Sequence, residues 1–182
     1  MNHPAIGIVE LNSLARGTVV TDAMAKRAPI EVLDSHPICP GKFLIIVAGQ
    51  VDDIREAMDA GRHYGGYTMT DSIIIENLHA QVLPAIQGAN PVPDITSVGL
   101  LETWATPSCV IAADAACKAA QITLIEVRLA NGLGGKAFMT LTGELHEVEA
   151  AMAAAVAAVT SGQLIRHEII PAPHLAVKPT LF

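Results

Sequence analysis

The sequence predicts an α+β protein of two tandem domains, each of the split βαβ (ferredoxin-like) type, with an antiparallel sheet and helices on one face. Two observations predict this fold class. A module of about ninety residues is repeated head to tail. Each copy shows the same succession of patterns, β-α-β-β-α-β. The first domain is predicted over residues 1–90 and the second over 91–182.

The repeat is visible as five matches that occur in the same order in both halves, at an offset that grows from 92 to 95 residues: 5–10 with 97–102, 22–28 with 114–120, 41–43 with 135–137, Gly49 with Gly143, and 73–79 with 168–174. Small loop insertions explain the growth of the offset. Chance could supply one such pair but not five in order, so the chain is an internal duplication.

The elements follow from local patterns. Strands are short apolar runs rich in β-branched residues, and helices carry small apolar residues at helical spacing. The first copy is predicted as strand Ile6–Glu10, helix Leu14–Ala28, strand Ile30–Ile38, strand Phe43–Ala48, helix Val51–Gly61 and strand Ser72–Asn77. The second is predicted as strand Val98–Glu102, helix Ser108–Ala120, strand Ile122–Ala130, strand Ala137–Thr142, helix Leu145–Val159 and strand Leu164–Ile170. Residues 87–94 are dense in glycine and proline, which predicts a linker.

Composition excludes several classes of function. The formal net charge is −7 and the basic residues are scattered, which argues against a nucleic-acid partner. The longest apolar stretch, 150–159, is about half of a membrane span, and we expect no membrane partner. Three cysteines at irregular spacing suggest no disulfide framework, and a cytoplasmic location is expected. No nucleophilic triad, P-loop or dinucleotide fingerprint is present, so we expect no enzyme.

Four stretches together resemble the bacterial microcompartment (BMC) shell domain: 5–10 (AIGIVE), 22–26 (DAMAK), 38–43 (ICPGKF) and 170–174 (IPAPH). The resemblance covers nearly the whole chain twice, with the strands in the family's ordinary order. Two fused copies are similar to the tandem members, which form trimers that mimic a hexagonal tile. The turn containing Cys39 resembles that of the T-type tandem subunits of propanediol-utilisation shells.

The resemblance implies a structural shell protein in the bacterial cytoplasm, whose trimer carries a central pore. It further implies one [4Fe–4S] cluster per trimer, held by Cys39 of three chains, for electron transfer or redox exchange across the shell. The implied partners are other copies of the chain, other shell proteins and an internal redox enzyme. The predicted pore-lining residues are Ile38, Cys39, Pro40 and Gly41 of the first copy, and Asn131, Gly132, Leu133 and Gly134 of the second.

The residues around Cys39 leave two interpretations open. One cysteine per chain becomes three around a three-fold axis, which would leave one iron of the cluster open to another ligand. Pro40 and Gly41 form a tight turn that can present the thiolate and backbone N–H groups towards a centre. The other interpretation is a thiol that lines the pore without binding metal. In the second copy Asn131 or Gly132 occupies the place of the cysteine, and the glycines of this loop serve either for close approach of backbones or as plain turn residues.

Lys26 and Lys118 occupy the same place in both copies. A cation there complements a helix C-terminus, whereas the family resemblance implies that both lysines lie at the tile edge. Cys109 and Cys117 are predicted to be buried packing residues. Ala172 stands where the family usually has an arginine, which removes a hydrogen bond at the tile edge.

Two other classes of function remain as hypotheses. Duplicated ferredoxin-like modules also form sensors that bind a small molecule, although such a sensor would be expected to lack the paired lysines and the cysteine turn. An enzyme with Cys39 as nucleophile would need a nearby base, for which His36 is the local candidate. His36 precedes Cys39 by three residues, a spacing that points the two side chains to opposite faces of a strand. A small-molecule pore without a cluster is the alternative within the shell class.

Overall fold

The repeated element order predicted from the sequence is confirmed in the computed structural model, which describes residues 4–91, 94–130 and 132–178. Contacts divide these residues into two units. Unit 1 contains 4–78 together with 105–107 and 132–135. Unit 2 contains 79–91, 94–104, 108–130 and 136–178. The boundary predicted between residues 90 and 91 stays a prediction.

Unit 1 is a four-stranded antiparallel sheet with two helices packed against each other. Its strands lie in the order β2-β3-β1-β4, which is the ferredoxin-like arrangement. The elements are β1 Ala5–Leu11, α1 Leu14–Arg27, β2 Glu31–Ile38, β3 Lys42–Gly49, α2 Val51–Gly65 and β4 Met69–Glu76.

Unit 2 repeats this sheet in the order β6-β7-β5-β8, also antiparallel throughout. It begins with a five-residue helix that the sequence reasoning did not predict. The elements are α3 Val82–Ile86, β5 Ser97–Thr103, α4 Thr106–Ala119, β6 Thr123–Leu129, β7 Ala137–Gly143, α5 Leu145–Ala158 and β8 Leu164–Pro171. The first two residues of α4 belong to unit 1 by their contacts.

The largest difference from the predicted boundaries is the end of α2, which runs four residues beyond Gly61. Gly61 is a packing residue, since a Cβ placed on it would lie 3.0 Å from the Met24 sulfur of α1. The helix ends instead before Gly66, whose φ of +49° is a conformation that glycine adopts readily. A glycine that reads as a helix stop is therefore a point of helix–helix contact.

In each sheet an inner strand, β1 or β5, packs closely against a methionine of helix α2 or α5. A Cβ on Gly7 would come within 2.6 Å of the Met58 sulfur, and one on Gly99 within 2.7 Å of the Met152 sulfur. The two glycines occupy equivalent places in the repeat. This close helix-on-sheet packing is thus retained in both copies.

The residues at the contact between α1 and β3 differ in size from those at the equivalent places of the second copy. Unit 1 has Gly17 on the helix and the Phe43 ring on the strand, so close that a Cβ on Gly17 would lie 2.2 Å from the ring. At the equivalent places, unit 2 has a buried Cys109 on the helix and a buried Ala137 on the strand. Relative to unit 1, the helix residue of unit 2 is larger and the strand residue is smaller.

The exchange of sizes predicts energetic coupling between positions 17 and 43. We expect Gly17→Cys to destabilise the protein by about 1–3 kcal/mol through overpacking. Phe43→Ala should cost about 3–5 kcal/mol through cavity formation. The double variant Gly17→Cys/Phe43→Ala carries the residues of the second copy at both places. Its loss of unfolding free energy should therefore be smaller than the sum of the two single losses by about 1–3 kcal/mol. Urea unfolding at fixed protein concentration measures all three, and strictly additive losses would contradict the prediction.

Candidate functional site

Cys39 lies in the tight turn that joins β2 to β3. The turn is closed by the Gly41 N–H, which donates to the Ile38 carbonyl oxygen at 3.0 Å, and the Cys39–Pro40 peptide bond is cis. Ile38 is buried whereas the thiol of Cys39 is exposed. Because the Gly41 N–H is used within the turn and Pro40 has none, neither of these residues offers an N–H group to a ligand, and presentation of the other N–H groups of the turn stays a prediction. What the turn presents is the thiol.

A buried carboxylate pairs with Lys42, the residue that directly follows the turn. Glu10, at the end of β1, is fully buried, and its Oε1 lies 2.7 Å from the Lys42 ammonium as an ion pair. Its other oxygen, Oε2, accepts the backbone N–H of Thr106 at 2.7 Å. The same Lys42 ammonium donates to the carbonyl oxygen of Gly135 at 3.1 Å. A carboxylate removed from water needs such partners. Glu10 therefore ties together β1, the start of β3 at Lys42 and the segment at Thr106.

Gly135 fixes the turn from the other side. Its φ is +86°, and a Cβ on it would lie 2.5 Å from the Pro40 ring and 3.1 Å from the Cys39 carbonyl oxygen. By contrast, Gly132 and Gly134 have positive φ but open space around the Cβ position. Both interpretations of the glycine run therefore apply, at different residues: Gly135 permits close approach, and the other two are turn residues.

The predicted pore lining stays a prediction for the turn 38–41 and for Gly132, Leu133 and Gly134. Asn131 lies outside the described residues. Three residues that contact or support the turn were missed from the sequence: Glu10, Thr106 and Gly135. The available signal was the retention of the Glu–Lys pair in both copies, since Glu102 and Lys136 stand at the equivalent places.

In unit 2 the equivalent ion pair is more open. The Lys136 ammonium lies 3.3 Å from Glu102 Oε2, and both side chains are more than a third exposed. The ammonium also lies 5.8 Å from the centre of the Trp104 ring. Both copies therefore have the Glu–Lys ion pair, but the pair is more deeply buried in unit 1 than in unit 2.

The other two cysteines are buried, in agreement with a packing role. Burial raises the pKa of Cys109 to about 12, against the lowering effect of a hydrogen bond with Thr103. Burial likewise raises the pKa of Cys117 to about 12, and the nearby charge of Asp114 adds to the increase. Metal binding requires the thiolate, which both environments disfavour. Cys39 is the exposed cysteine of this chain.

The two lysines predicted at the tile edge each pair with an aspartate one helical turn earlier. Lys26 lies 2.6 Å from Asp22 and is largely exposed, while Lys118 pairs with Asp114. Asp114 also accepts the backbone N–H of His79 at 2.7 Å. Both lysines lie in the last turn of their helices, so the helix-end interpretation applies. The edge role stays a prediction.

Among the described residues, the histidines form no metal-binding group with Cys39. His36 Nδ1 lies 2.6 Å from Asp34 on the same strand. His79 and His174, equivalent in the repeat, each accept the backbone N–H two residues later. Across residues 4–91, 94–130 and 132–178, no group of three or more His, Cys, Asp or Glu side chains is placed to hold a metal ion. A metal centre at Cys39 would therefore need ligands from other chains.

At the position of the missing arginine, Ala172 has a φ of +44° and is exposed. The equivalent Asn77 has a φ of +52°.

Within the described ranges no helix is both long and apolar enough to cross a membrane.

The BMC domain model matches residues 5–78 and 97–173. The chain is 43% identical to the bacterial microcompartment shell protein PduT of Citrobacter freundii, over 93% of both chains. A crystal structure of a microcompartment protein from Desulfitobacterium hafniense is 40% identical and superposes with a TM-score of 0.82, over 96% of this chain and 98% of that one. A carboxysome shell protein of Synechococcus elongatus is 35% identical over 43% of this chain and 78% of its own length.

The contrast among the cysteines predicts selective labelling. Raising a thiol pKa from 9.0 to about 12 lowers the thiolate fraction near neutral pH roughly 1,000-fold. In iron-free native protein, we expect maleimide to label one thiol per chain rapidly, and three after denaturation. Cys39→Ser should abolish the rapid phase. Rapid labelling of two or three thiols in the native protein would contradict the burial described here.

The Glu10 site predicts an asymmetric cost of removing a carboxylate charge. Glu10→Gln should destabilise the protein by about 3 kcal/mol, because it leaves the Lys42 ammonium without its buried partner. The matched control, Glu102→Gln, should cost less than about 1 kcal/mol because its pair is exposed to solvent. Denaturant unfolding of the two variants tests this. Equal losses of unfolding free energy would show that burial of the pair does not determine the cost of removing the carboxylate charge.

Proposed function

The chain belongs to the BMC-domain family, and on that premise we propose that it is a structural shell protein of a bacterial microcompartment whose trimeric tile holds a redox centre at its pore. Two domains per chain make three chains equivalent to a six-lobed, pseudohexameric ring. Such a tile lies in the shell, within the bacterial cytoplasm, and packs against other shell proteins. The observation that carries the redox part is the single exposed thiol of Cys39, present in one copy of the repeat and absent from the other.

The asymmetry between the copies supports three-fold chemistry. A ring of six identical turns would carry six thiols or none. Here the turn with Cys39 alternates with a loop in which Gly132 and Gly134 stand in open space. Three chains therefore supply three thiolates around one axis, with glycine loops between them.

The residues present fit a [4Fe–4S] cluster shared by three chains. Each chain offers one exposed thiol on a turn held by Pro40, Gly135 and the Glu10–Lys42 pair. Three Cys39 thiolates would hold the cluster and leave one iron open to a further ligand. A cluster so placed supplies one-electron chemistry, which suits electron transfer or redox exchange with an internal redox enzyme. The protein's part is to fix the three thiols and to set their surroundings.

A pore for small molecules without a cluster is the second candidate. It is favoured by the glycine loop, where positive φ and open space would leave backbone groups lining an opening. In that case the Cys39 thiol would be incidental. A duplicated ligand-binding sensor is disfavoured by the family match across both copies.

The cluster proposal predicts a fixed stoichiometry. After anaerobic purification or reconstitution with ferrous iron and sulfide, the full chain should hold four irons and four sulfides for every three chains. Dithionite reduction should produce an EPR signal. Cys39→Ser should lose iron, sulfide and signal, whereas the control Cys117→Ala should retain them. Wild-type protein that assembles as a trimer but binds no iron would overturn the cluster and leave the small-molecule pore.

A further inference from the structure

The connection between the outer strand and the third strand differs between the two copies. Residues 39–41 join β2 to β3, whereas residues 130–136 join β6 to β7. The described part of the longer connection, the glycine loop of residues 132–135, contains Gly132, Gly134 and Gly135, with φ values of +75°, +61° and +86°. Glycine adopts this conformation without steric cost, so all three places suit glycine on backbone grounds alone.

Within the glycine loop, Gly135 lies against the Cys39 turn, backbone to backbone. A Cβ placed on Gly135 would lie 2.5 Å from Cδ of Pro40 and 3.1 Å from the carbonyl oxygen of Cys39. This Cδ is bonded to the nitrogen of the Cys39–Pro40 peptide bond, so it cannot move away unless the backbone of Cys39 moves with it. Around the Cβ positions of Gly132 and Gly134 there is nothing within 4 Å. The position of the cysteine turn therefore depends on residue 135 in particular.

The carbonyl group of Gly135 is held by Lys42, the residue that follows the turn. The Lys42 ammonium donates to the Gly135 carbonyl oxygen at 3.1 Å and lies 2.7 Å from the carboxylate of Glu10, which is fully buried. A hydrogen bond from a charged donor is stronger than one between neutral groups. The glycine loop and the cysteine turn are therefore tied together at two points, by van der Waals contact at Pro40 and by this charged hydrogen bond.

We propose that Gly135 is a positioning residue for the redox centre, and that Lys42 holds it in place. The inference rests on the proposed function, because it concerns how each chain places its thiol for a shared cluster. Functional groups that act together must be held within about 0.5 Å of their productive geometry. Cys39 lies on an exposed turn, so its neighbours rather than core packing supply this precision. One copy of the repeat provides the ligand, and the other provides its support.

A matched pair of glycines separates this contact from backbone strain. Gly162, between α5 and β8, has a φ of +81°, close to the +86° of Gly135, and has nothing within 4 Å of its Cβ position. An alanine is strained by the positive φ at either place. At residue 135 the added methyl group also meets the Cys39 turn, whereas at residue 162 it meets open space. Gly162→Ala is therefore the control for Gly135→Ala.

The first test measures how firmly the cluster is held. Full-length wild type, Gly135→Ala and Gly162→Ala are reconstituted anaerobically with ferrous iron and sulfide and then titrated with EDTA. The EDTA concentration that removes half of the iron should fall about 10–100-fold for Gly135→Ala, the range found when groups that orient metal ligands are removed. The g values of its reduced EPR signal should shift as well. Gly162→Ala should match wild type in both measurements, and all three proteins should have the same circular dichroism and trimer mass.

The second test reports on the turn in iron-free protein. A nitroxide spin label on Cys39 places three spins in each trimer, since Cys109 and Cys117 are buried and stay unlabelled. Double electron–electron resonance should give one narrow distance for wild type and for Gly162→Ala. Gly135→Ala should broaden this distance distribution and shift its maximum, because the methyl group displaces the backbone that carries the label.

A second variant removes the hydrogen bond without adding a side chain at residue 135. Glu10→Gln/Lys42→Met replaces the buried ion pair by neutral side chains of similar size, so that no charge is left buried without its partner. It releases the Gly135 carbonyl from the ammonium. Its EDTA midpoint should fall and its spin-label distance distribution should broaden, as for Gly135→Ala. This variant decides the question if Gly135→Ala does not assemble as a trimer.

The outcomes separate this inference from the proposed function. If wild type holds a cluster and Gly135→Ala matches Gly162→Ala in EDTA midpoint, EPR signal and label distance, the inference is overturned and the redox centre stands. If wild-type trimers bind no iron, the redox centre is overturned, and the label distances alone decide whether Gly135 positions the turn. A wild-type chain without dipolar coupling between labels forms no trimer, which overturns the tile and the inference with it.

Discussion

The buried carboxylate of Glu10 is the constraint on which the arrangement around Cys39 depends. A charged group removed from water is tolerated where its partners are fixed, and here the partners are the Lys42 ammonium and a backbone N–H. Satisfying one carboxylate therefore joins the end of β1, the start of β3 and the first turn of α4. Lys42 extends the network to the Gly135 carbonyl, which lies against the cysteine turn. The reactive group is exposed, whereas the groups that position it are buried.

The duplication retains backbone geometry more strictly than side chains. Both copies have the same strand order, the same bulge in the outer strand and the same glycine beneath a methionine. The residues at the places of the α1–β3 contact differ, with Gly17 and Phe43 in one copy and Cys109 and Ala137 in the other. The side chains at these equivalent places differ in size as well as in identity. The same freedom allows a cysteine in one turn and glycines in the other.

Much of the fold could be predicted from the sequence because each pattern occurs in both copies of the repeat, so that one copy supports the interpretation of the other. The element succession and the antiparallel sheet follow from repeated motifs such as 5–10 and 97–102. Helix α3 was missed because a five-residue segment that contains Pro84 has no helical periodicity, and its position is set by packing on β6. Glu10 was missed because a carboxylate ending an apolar run reads as a strand boundary. The glycine run could not reveal that Gly135, rather than its neighbours, touches the cysteine turn, since that contact joins residues nearly a hundred positions apart.

The burial of Cys109 and Cys117 also bears on oxidative damage. A sulfenic acid formed at an exposed thiol is normally resolved by a second accessible thiol, and neither buried cysteine is available to Cys39 for that purpose. Thiol oxidation within one chain is thus confined to a surface turn and does not reach the buried cysteines. Under the proposed function, oxidation of Cys39 would remove the redox activity of the tile without altering its buried packing, and low-molecular-weight thiols would restore this residue.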